Sequence, residues 1–323
     1  MPKINSKVRV AITMGDPSGI GPAIIHGALK ELGGEADFCV IGDRWVFDKA
    51  GKRASDGAGN CRFIDLNNVP RKDFKFGGPR PDYGRASVEY LKEALRLIKE
   101  GAMDCMVTCP VSKEAIDSGG ISGFRGQTEY LAASTRTKDF LMLLLNGSLR
   151  FSLLTRHMPL KDVPSGLTEG NIYRTIILTH RYIKQLFSIR RPRLAVCGLN
   201  PHASDNGLLG QEENDIIGPA VERAEKKAGG ISGPLPADSA AFKAAQGLYD
   251  CVVAIYHDQA LIPLKMFRAY GGVNITAGLP FVRCSPLHGT AFDIAAKPKL
   301  ARPDSLIEAA RLAIKCSLSL RKN

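Results

Sequence analysis

Val8-Arg9-Val10-Ala11-Ile12-Thr13-Met14-Gly15-Asp16-Pro17-Ser18-Gly19-Ile20-Gly21-Pro22 reads as a strand that runs into a glycine- and proline-rich turn, then into a helix from about Ala23. β-Branched residues suit a pleated surface, and the turn residues stop it. The same change of rhythm recurs along the chain. Strand-like runs lie at residues 38–41, 105–109, 140–145, 151–155, 194–197 and 251–255. Between 87 and 100, helical spacing puts Val88, Leu91, Leu95 and Ile98 on one face, and Gly101 ends the pattern. Helical patterns also span 171–187 and 215–227, and Ser305 with Glu308 forms a capping-box pattern opening a last helix. This alternation predicts an α/β architecture with largely parallel sheets. No internal repeat or low-complexity linker marks a domain boundary. Segment 50–84, rich in Gly, Lys, Arg and Pro, reads as a surface excursion.

A chain of 323 residues, 44% apolar, with Gly and Pro dispersed, has the composition of a soluble globular protein of two ordinary domains or one large one. No run of eighteen apolar residues exists, so no membrane-spanning helix is expected. Residues 1–7 are polar and basic and lack the apolar stretch and cleavage site of a secretory signal, so a cytoplasmic location is expected. Most of the eight cysteines sit in apolar runs, which reads as buried free thiols. The absence of a Cys-x-x-Cys pair speaks against a zinc knuckle or a thioredoxin-type centre. A formal net charge of +12 fits nucleic acid, a membrane surface or an anionic small molecule. The charge is dispersed, however. The densest patch, Arg190-Arg191-Pro192-Arg193, has no interleaved aromatics and reads as a solvated turn. Neither nucleic acid nor membrane is an expected partner.

Three of the six histidines share a context: His157, His202 and His257 each follow a strand-like run. Ligands of open α/β sheets gather at the carboxyl ends of strands, where three imidazoles suit a divalent metal with an open position for substrate. Any one of them alone is more simply a loop histidine. Asp258 adjoins His257, and Asp238 follows Pro234-Leu235-Pro236-Ala237. Each suits a further ligand, an orienting group, a proton acceptor or a plain turn cap. Lys265, Asn274 and Arg283 recur at nine-residue intervals; arginine clamps phosphate or carboxylate in bidentate fashion and lysine acts as a point charge, though each is also compatible with an ordinary surface position. His288-Gly289-Thr290-Ala291 opens a short helical pattern of the kind that binds a nucleotide through backbone N–H groups. The turn after residue 14 is not Gly-x-Gly-x-x-Gly, and neither a Gly-x-Ser-x-Gly elbow nor a Walker A loop occurs.

Taken together, Ile12 to Pro22, Gly126-Gln127-Thr128-Glu129, Gly198-Leu199-Asn200-Pro201-His202-Ala203, Tyr256-His257-Asp258-Gln259, Gly272 to Phe281 and His288 to Ala291 resemble, in order and nearly end to end, the 4-hydroxythreonine-4-phosphate dehydrogenase family of vitamin B6 biosynthesis. The resemblance implies a fold like the isocitrate and isopropylmalate dehydrogenases: two α/β/α domains around a cleft, divided as 1–129 plus 284–323 and 130–283. It implies a homodimer with a shared active site in which His157, His202 and His257 bind a divalent metal (Zn, Mg, Co or Mn), one of them reaching across the dimer. Lys265, Asn274 and Arg283, helped by Gln127 and Thr128, would hold the substrate. Asp238, Asp258 and Lys265 would serve the chemistry, and His288, Gly289, Thr290 and Ala291 would contact NAD or NADP. The implied reaction is oxidation and decarboxylation of 4-phosphohydroxy-L-threonine to 3-amino-2-oxopropyl phosphate. Two departures stand out: Gln127 where the family usually has His, and Leu287 where it often has Asp. They leave open the same chemistry on D-threonate or D-erythronate 4-phosphate. A non-catalytic ligand- or nucleic-acid-binding protein on the same fold is the alternative from another class, against which the retained histidines and the Lys, Asn, Arg set argue.

Overall fold

The computed structural model describes residues 7–51 and 61–322. Part of the 50–84 segment, 52–60, and the first six residues lie outside the described residues. The chain forms two units. One takes the chain up to Lys138 together with Val273–Ile275 and Leu279–Leu318; the other takes Asp139–Gly272, Thr276–Gly278 and the residues after Leu318. The passage between them therefore falls after the helix Gln127–Ser134, whereas the sequence placed it at 129/130.

Among the described residues, four strands precede that passage: β1 Arg9–Thr13, β2 Asp37–Gly42, β3 Cys61–Asp65 and β4 Cys105–Thr108. The second unit contributes β5 Leu141–Asn146, β6 Leu149–Leu153, β7 Leu194–Cys197, β8 Ile231–Leu235 and β9 Cys251–Ala254. β10 Val273–Ala277 is divided between the units, and β11 Val282–Pro286 returns to the first. In the first unit the order β3-β2-β1-β4-β11 is parallel throughout. In the second the order is β5-β6-β9-β7-β8, with one antiparallel hairpin, β5-β6, and parallel pairs elsewhere. β4, β7 and β9 are buried at every position, as expected of parallel strands covered on both faces.

Several elements differ from the sequence reading, each for a physical reason. The segment read as a surface excursion contributes an edge strand: β3 pairs with β2 from Phe38↔Cys61 to Gly42↔Asp65, and its mostly exposed residues give no apolar signal. The helix expected from residue 87 begins at Pro81, where a fixed φ and a missing N–H cost nothing in the first turn. Ser305 does not cap the last helix, because that helix already starts at Asp304. A capping box forms instead at Thr168 and Asn171: the Asn171 N–H donates to Thr168 Oγ1 (3.2 Å) and the Thr168 N–H to Asn171 Oδ1 (3.1 Å). All eight cysteines are free and only Cys61 is exposed; burial pushes the Cys197 and Cys251 thiols up to about 12, so neither is a nucleophile at neutral pH. In the basic patch, Arg193 is held by Asp250. No helix among the described residues is long and apolar enough to cross a membrane.

The turn after β1 is built on two constraints. Gly15 has φ +71°, and a Cβ there would collide with the Pro110 carbonyl oxygen, so only glycine fits. Asp16, next to it, is fully buried. Its Oδ1 accepts the Ser18 N–H at 2.9 Å and meets Ser18 Oγ at 3.0 Å, while Oδ2 has no partner among the described residues. Burial raises the Asp16 carboxyl to about 6, against the opposing effect of the Ser18 contacts. Between the ordinary value of 3.8 and about 6, the folded chain holds a proton that the unfolded chain has lost. Stability from this group is therefore complete below the lower value and is lost as pH rises through the upper one. The displacement is worth about 3 kcal/mol at 1.36 kcal/mol per pH unit. Urea unfolding of Asp16→Asn beside the parent, from pH 3.5 to 7.5, should show the parent losing ground to the variant by roughly that amount. Parallel profiles for the two proteins would mean that Asp16 does not titrate in this window.

Candidate functional site

In the first unit, a cation is buried where strands end. Arg283, the second residue of β11, lies opposite Met106 of β4 and is only 2% exposed. Its Nε and Nη2 donate to Thr108 Oγ1 at 3.1 and 2.6 Å, and its Nη1 donates to Thr128 Oγ1 at 3.2 Å. Thr108 closes β4, and Thr128 is the second residue of the helix Gln127–Ser134; both are buried. Burial lowers the Arg283 pKa to about 10, with Cys284 and Glu129 opposing the shift, so the group stays cationic at neutral pH. A guanidinium fixed by neutral hydroxyls in a low-dielectric setting suits an anionic ligand group. Beside it, the Gln127 Nε2 donates to the Cys109 carbonyl at 3.0 Å. The backbone thus takes up one amide hydrogen of Gln127. Asn274, also buried and in the same unit, has an Oδ1 with no partner among the described residues, which leaves it an acceptor for a ligand N–H or O–H.

The 288–291 loop also belongs to this unit. The Thr290 carbonyl accepts the Ile20 N–H at 3.0 Å, which ties the loop to the turn after β1. Ala291 is left-handed at φ 46° before the short helix Phe292–Ala295. His288 Nδ1 lies 3.0 Å from the Gly289 carbonyl, and space is open where a Gly289 Cβ would stand.

In the second unit, β6 and β9 are parallel neighbours, and the chain leaving each carries a histidine. The His157 and His257 rings lie 5.8 Å apart between centroids. Both line a cavity of about 420 Å3 with Arg156, Tyr256 and Asp258. His257 opens the helix His257–Phe267, and its Nδ1 is 2.7 Å from Asp258 Oδ1. A carboxylate on Nδ1 holds the proton there and leaves the lone pair on Nε2, the arrangement that orients metal-binding histidines. Asp258 and Asp238 both line a neighbouring cavity of about 560 Å3. Asp238 is exposed in the first turn of the helix Ala237–Ala245, where its Oδ1 accepts the Ser239 N–H at 2.7 Å. Lys265 is exposed in the last turn of the helix His257–Phe267.

His202 is presented differently. Five consecutive residues are left-handed: His202 (φ 55°), Ala203 (52°), Ser204 (68°), Asp205 (45°) and Asn206 (58°). Each such residue costs about 1–2 kcal/mol, less for Asn and Asp, so the turn persists only because its surroundings enforce it. Ser204 is buried, and its carbonyl accepts the Gly207 and Leu209 N–H groups at 3.0 Å. Among the described residues, no three His, Cys, Asp or Glu side chains gather as a metal-binding group. One chain brings His157 and His257 together and holds His202 on a separate turn. The sequence reading missed the residues that hold these groups: Thr108, Asn200, Glu213 and Gln259. Gln259 Oε1 accepts the Ile255 N–H and its Nε2 donates to the Gly198 carbonyl, both at 2.8 Å, linking the segment before His257 to the segment before His202. Of these four, only Asn200 carries a local signal, because a residue before proline is driven extended.

The Thr108 hydroxyl meets two guanidinium donors. Thr108→Val keeps the shape and leaves those donors buried without that acceptor, which should cost about 1–3 kcal/mol in urea unfolding. An unchanged midpoint would show that Arg283 is held by other groups.

Residues 30–313 match the profile of the family described as pyridoxal phosphate biosynthetic protein PdxA. A 4-hydroxythreonine-4-phosphate dehydrogenase of Sulfurihydrogenibium sp. is 40% identical over 318 residues, covering 95% of this chain and 98% of that one. One from Caulobacter vibrioides is 40% identical over 323 residues, covering 95% and 96%. The crystal structure of 4-hydroxythreonine-4-phosphate dehydrogenase from Klebsiella pneumoniae matches with a TM-score of 0.84 at 35% identity, over 97% of this chain and 98% of that one. A β-decarboxylating dehydrogenase from Thermococcus kodakarensis, at 16% identity and a TM-score of 0.51, covering 94% of this chain and 82% of that one, shares the fold. With a family profile spanning most of its length and such relatives matching end to end, this chain belongs to the PdxA family of pyridoxal phosphate biosynthetic proteins.

Proposed function

We propose that this chain is a cytoplasmic dehydrogenase that oxidises 4-phosphohydroxy-L-threonine with NAD or NADP and releases 3-amino-2-oxopropyl phosphate and carbon dioxide. The observation that carries the reading furthest is the buried Arg283 cation, fixed by Thr108 and Thr128 beside a strand end, in a chain of this family. Arg283 would bind an anionic group of the substrate in two-point fashion, and the partnerless Oδ1 of Asn274 would accept from its ammonium or hydroxyl. Lys265 would add a second positive charge. Asp238, Asp258 and Lys265 are the proton-handling candidates. One of them would take the hydroxyl proton during the oxidation, for which a bound nicotinamide would supply the hydride acceptor, and one would return a proton to the carbon that loses carbon dioxide. The loop from His288 to Ala291 is the nucleotide contact.

His157, His202 and His257 would hold a divalent metal, with Asp258 orienting His257. Such an ion supplies positive charge to the oxygens that gain negative charge in both steps. His202 stands on a separate turn, so we assign the complete site to a homodimer in which one histidine comes from the partner. The exposed side chains of Phe242 (64%), Ile262 (58%) and Met266 (81%), lining the same cavity as Asp258, support an apolar contact there.

A NADH- or NADPH-formation assay over phosphorylated hydroxy acids, with and without added metal, tests the activity. 4-Phosphohydroxy-L-threonine should be the best substrate. A preference for threonate or erythronate 4-phosphate would reassign it, and full turnover in metal-stripped protein would remove the metal. In the same assay, Arg283→Ala should raise KM about 10–150-fold for the phosphorylated substrate, the worth of a charge-assisted clamp. If the variant and the parent discriminate equally between phosphorylated and dephosphorylated substrate, Arg283 does not read the phosphate.

Subunit mixing tests the shared site. His157→Ala and His202→Ala homodimers, each inactive, should regain part of the activity on exchange if these two histidines serve one site from different subunits. Proven exchange without recovery would place both in the same chain's site.

A further inference from the structure

Asn200 is the last extended residue before the left-handed turn, with φ −89° and ψ 160°. It presents two donors to one buried carboxylate. Its backbone N–H donates to Glu213 Oε1 at 2.8 Å, and its Nδ2 donates to Glu213 Oε2 at 2.9 Å. Glu213 is 2% exposed and sits at the start of a single π-helical turn, Glu213–Ile217. The same Nδ2 also reaches Glu212 Oε2 at 2.9 Å. Glu213 Oε1 lies so close to Gly198 that a Cβ there would stand 2.8 Å from it. The carboxylate therefore holds Asn200, two residues before His202, and packs against Gly198.

We propose that Glu213 is a positioning residue for His202: its two oxygens clamp both donors of Asn200 and so hold the left-handed turn that aims the imidazole. The inference rests on the reading of His202 as a metal ligand. The chemistry demands a carboxylate. As placed, Asn200 turns both of its donors to Glu213 and its Nδ2 also to Glu212. A glutamine at 213 has a single acceptor oxygen, so its NH2 faces the Asn200 Nδ2 unless the Asn200 amide flips, and a flip turns Oδ1 against the Glu212 carboxylate. Removing the Asn200 side chain eliminates that conflict, because a glutamine oxygen can still accept the backbone N–H.

The test is a Co2+ titration of chelator-stripped protein, read from the visible absorption of the bound ion, with apo-protein thermal unfolding alongside. Glu213→Gln should weaken Co2+ binding about 10–100-fold, the range for groups that orient metal ligands, and change the spectrum at saturation toward that of His202→Ala. Asn200→Ala should weaken binding less. The double variant should bind Co2+ no worse than Glu213→Gln alone, a non-additivity that general loosening of the fold does not produce. Should Glu213→Gln not fold, Asn200→Ala decides alone: parent-like affinity and spectrum overturn the inference. So does a parent-like titration by Glu213→Gln, or strict additivity in the double variant, while His202→Ala fails to bind. Parent-like binding by His202→Ala overturns the metal reading itself, and the inference with it.

Discussion

Parallel strands cannot be joined by tight turns. Every strand that runs alongside its neighbour must hand the chain to a crossover, and within each unit the carboxyl ends of several parallel strands therefore discharge into loops at one end of that unit's strands. Nearly everything of chemical interest here follows from that constraint. β4 ends at Thr108, which holds Arg283; β6 and β9 lead into His157 and His257; β7 leads into the Gly198–His202 segment. Residues far apart in the chain meet because the sheet makes them neighbours, with Arg283 and Thr108 separated by 175 positions.

The two units solve opposite electrostatic problems. The first buries a cation among hydroxyls, which keeps positive charge available at a desolvated position, and the desolvation cost shows as the lowered Arg283 pKa. The second keeps its imidazoles accessible and assigns the burial to the groups behind them, Gln259 and Glu213. Accessible imidazoles on a hydrogen-bonded backing suit a site that must admit a small molecule and hold geometry at the same time. The left-handed turn at 202–206 shows the cost of that geometry, since five strained residues persist only under external restraint.

The strands legible in the sequence, β1, β2, β4, β5, β6, β7 and β9, are buried at nearly every position, and burial of that kind writes an apolar run. β3 was not legible: it is an edge strand whose residues alternate no hydrophobic signal. β10 and β11 were not among the strands read from the sequence, since only pairing shows where each begins and ends. Ser305 carried the capping pattern without the cap, because the pattern does not say which residue still has extended backbone.

The amino-acid sequence by itself determined the α/β class, the free thiols and the identity of the candidate groups: His157, His202, His257, Lys265, Asn274 and Arg283. Residue type and strand-end position are local properties and survive in one dimension. Only the tertiary structure decided which of these groups share surroundings. It joined His157 to His257, set His202 apart on a strained turn, and gave Arg283 two threonine hydroxyls. It also brought forward Glu213 and Gln259, which nothing local distinguishes from other polar residues. Their role lies in hydrogen bonds across 13 and 61 positions, and a hydrogen bond is a matter of distance and angle in space.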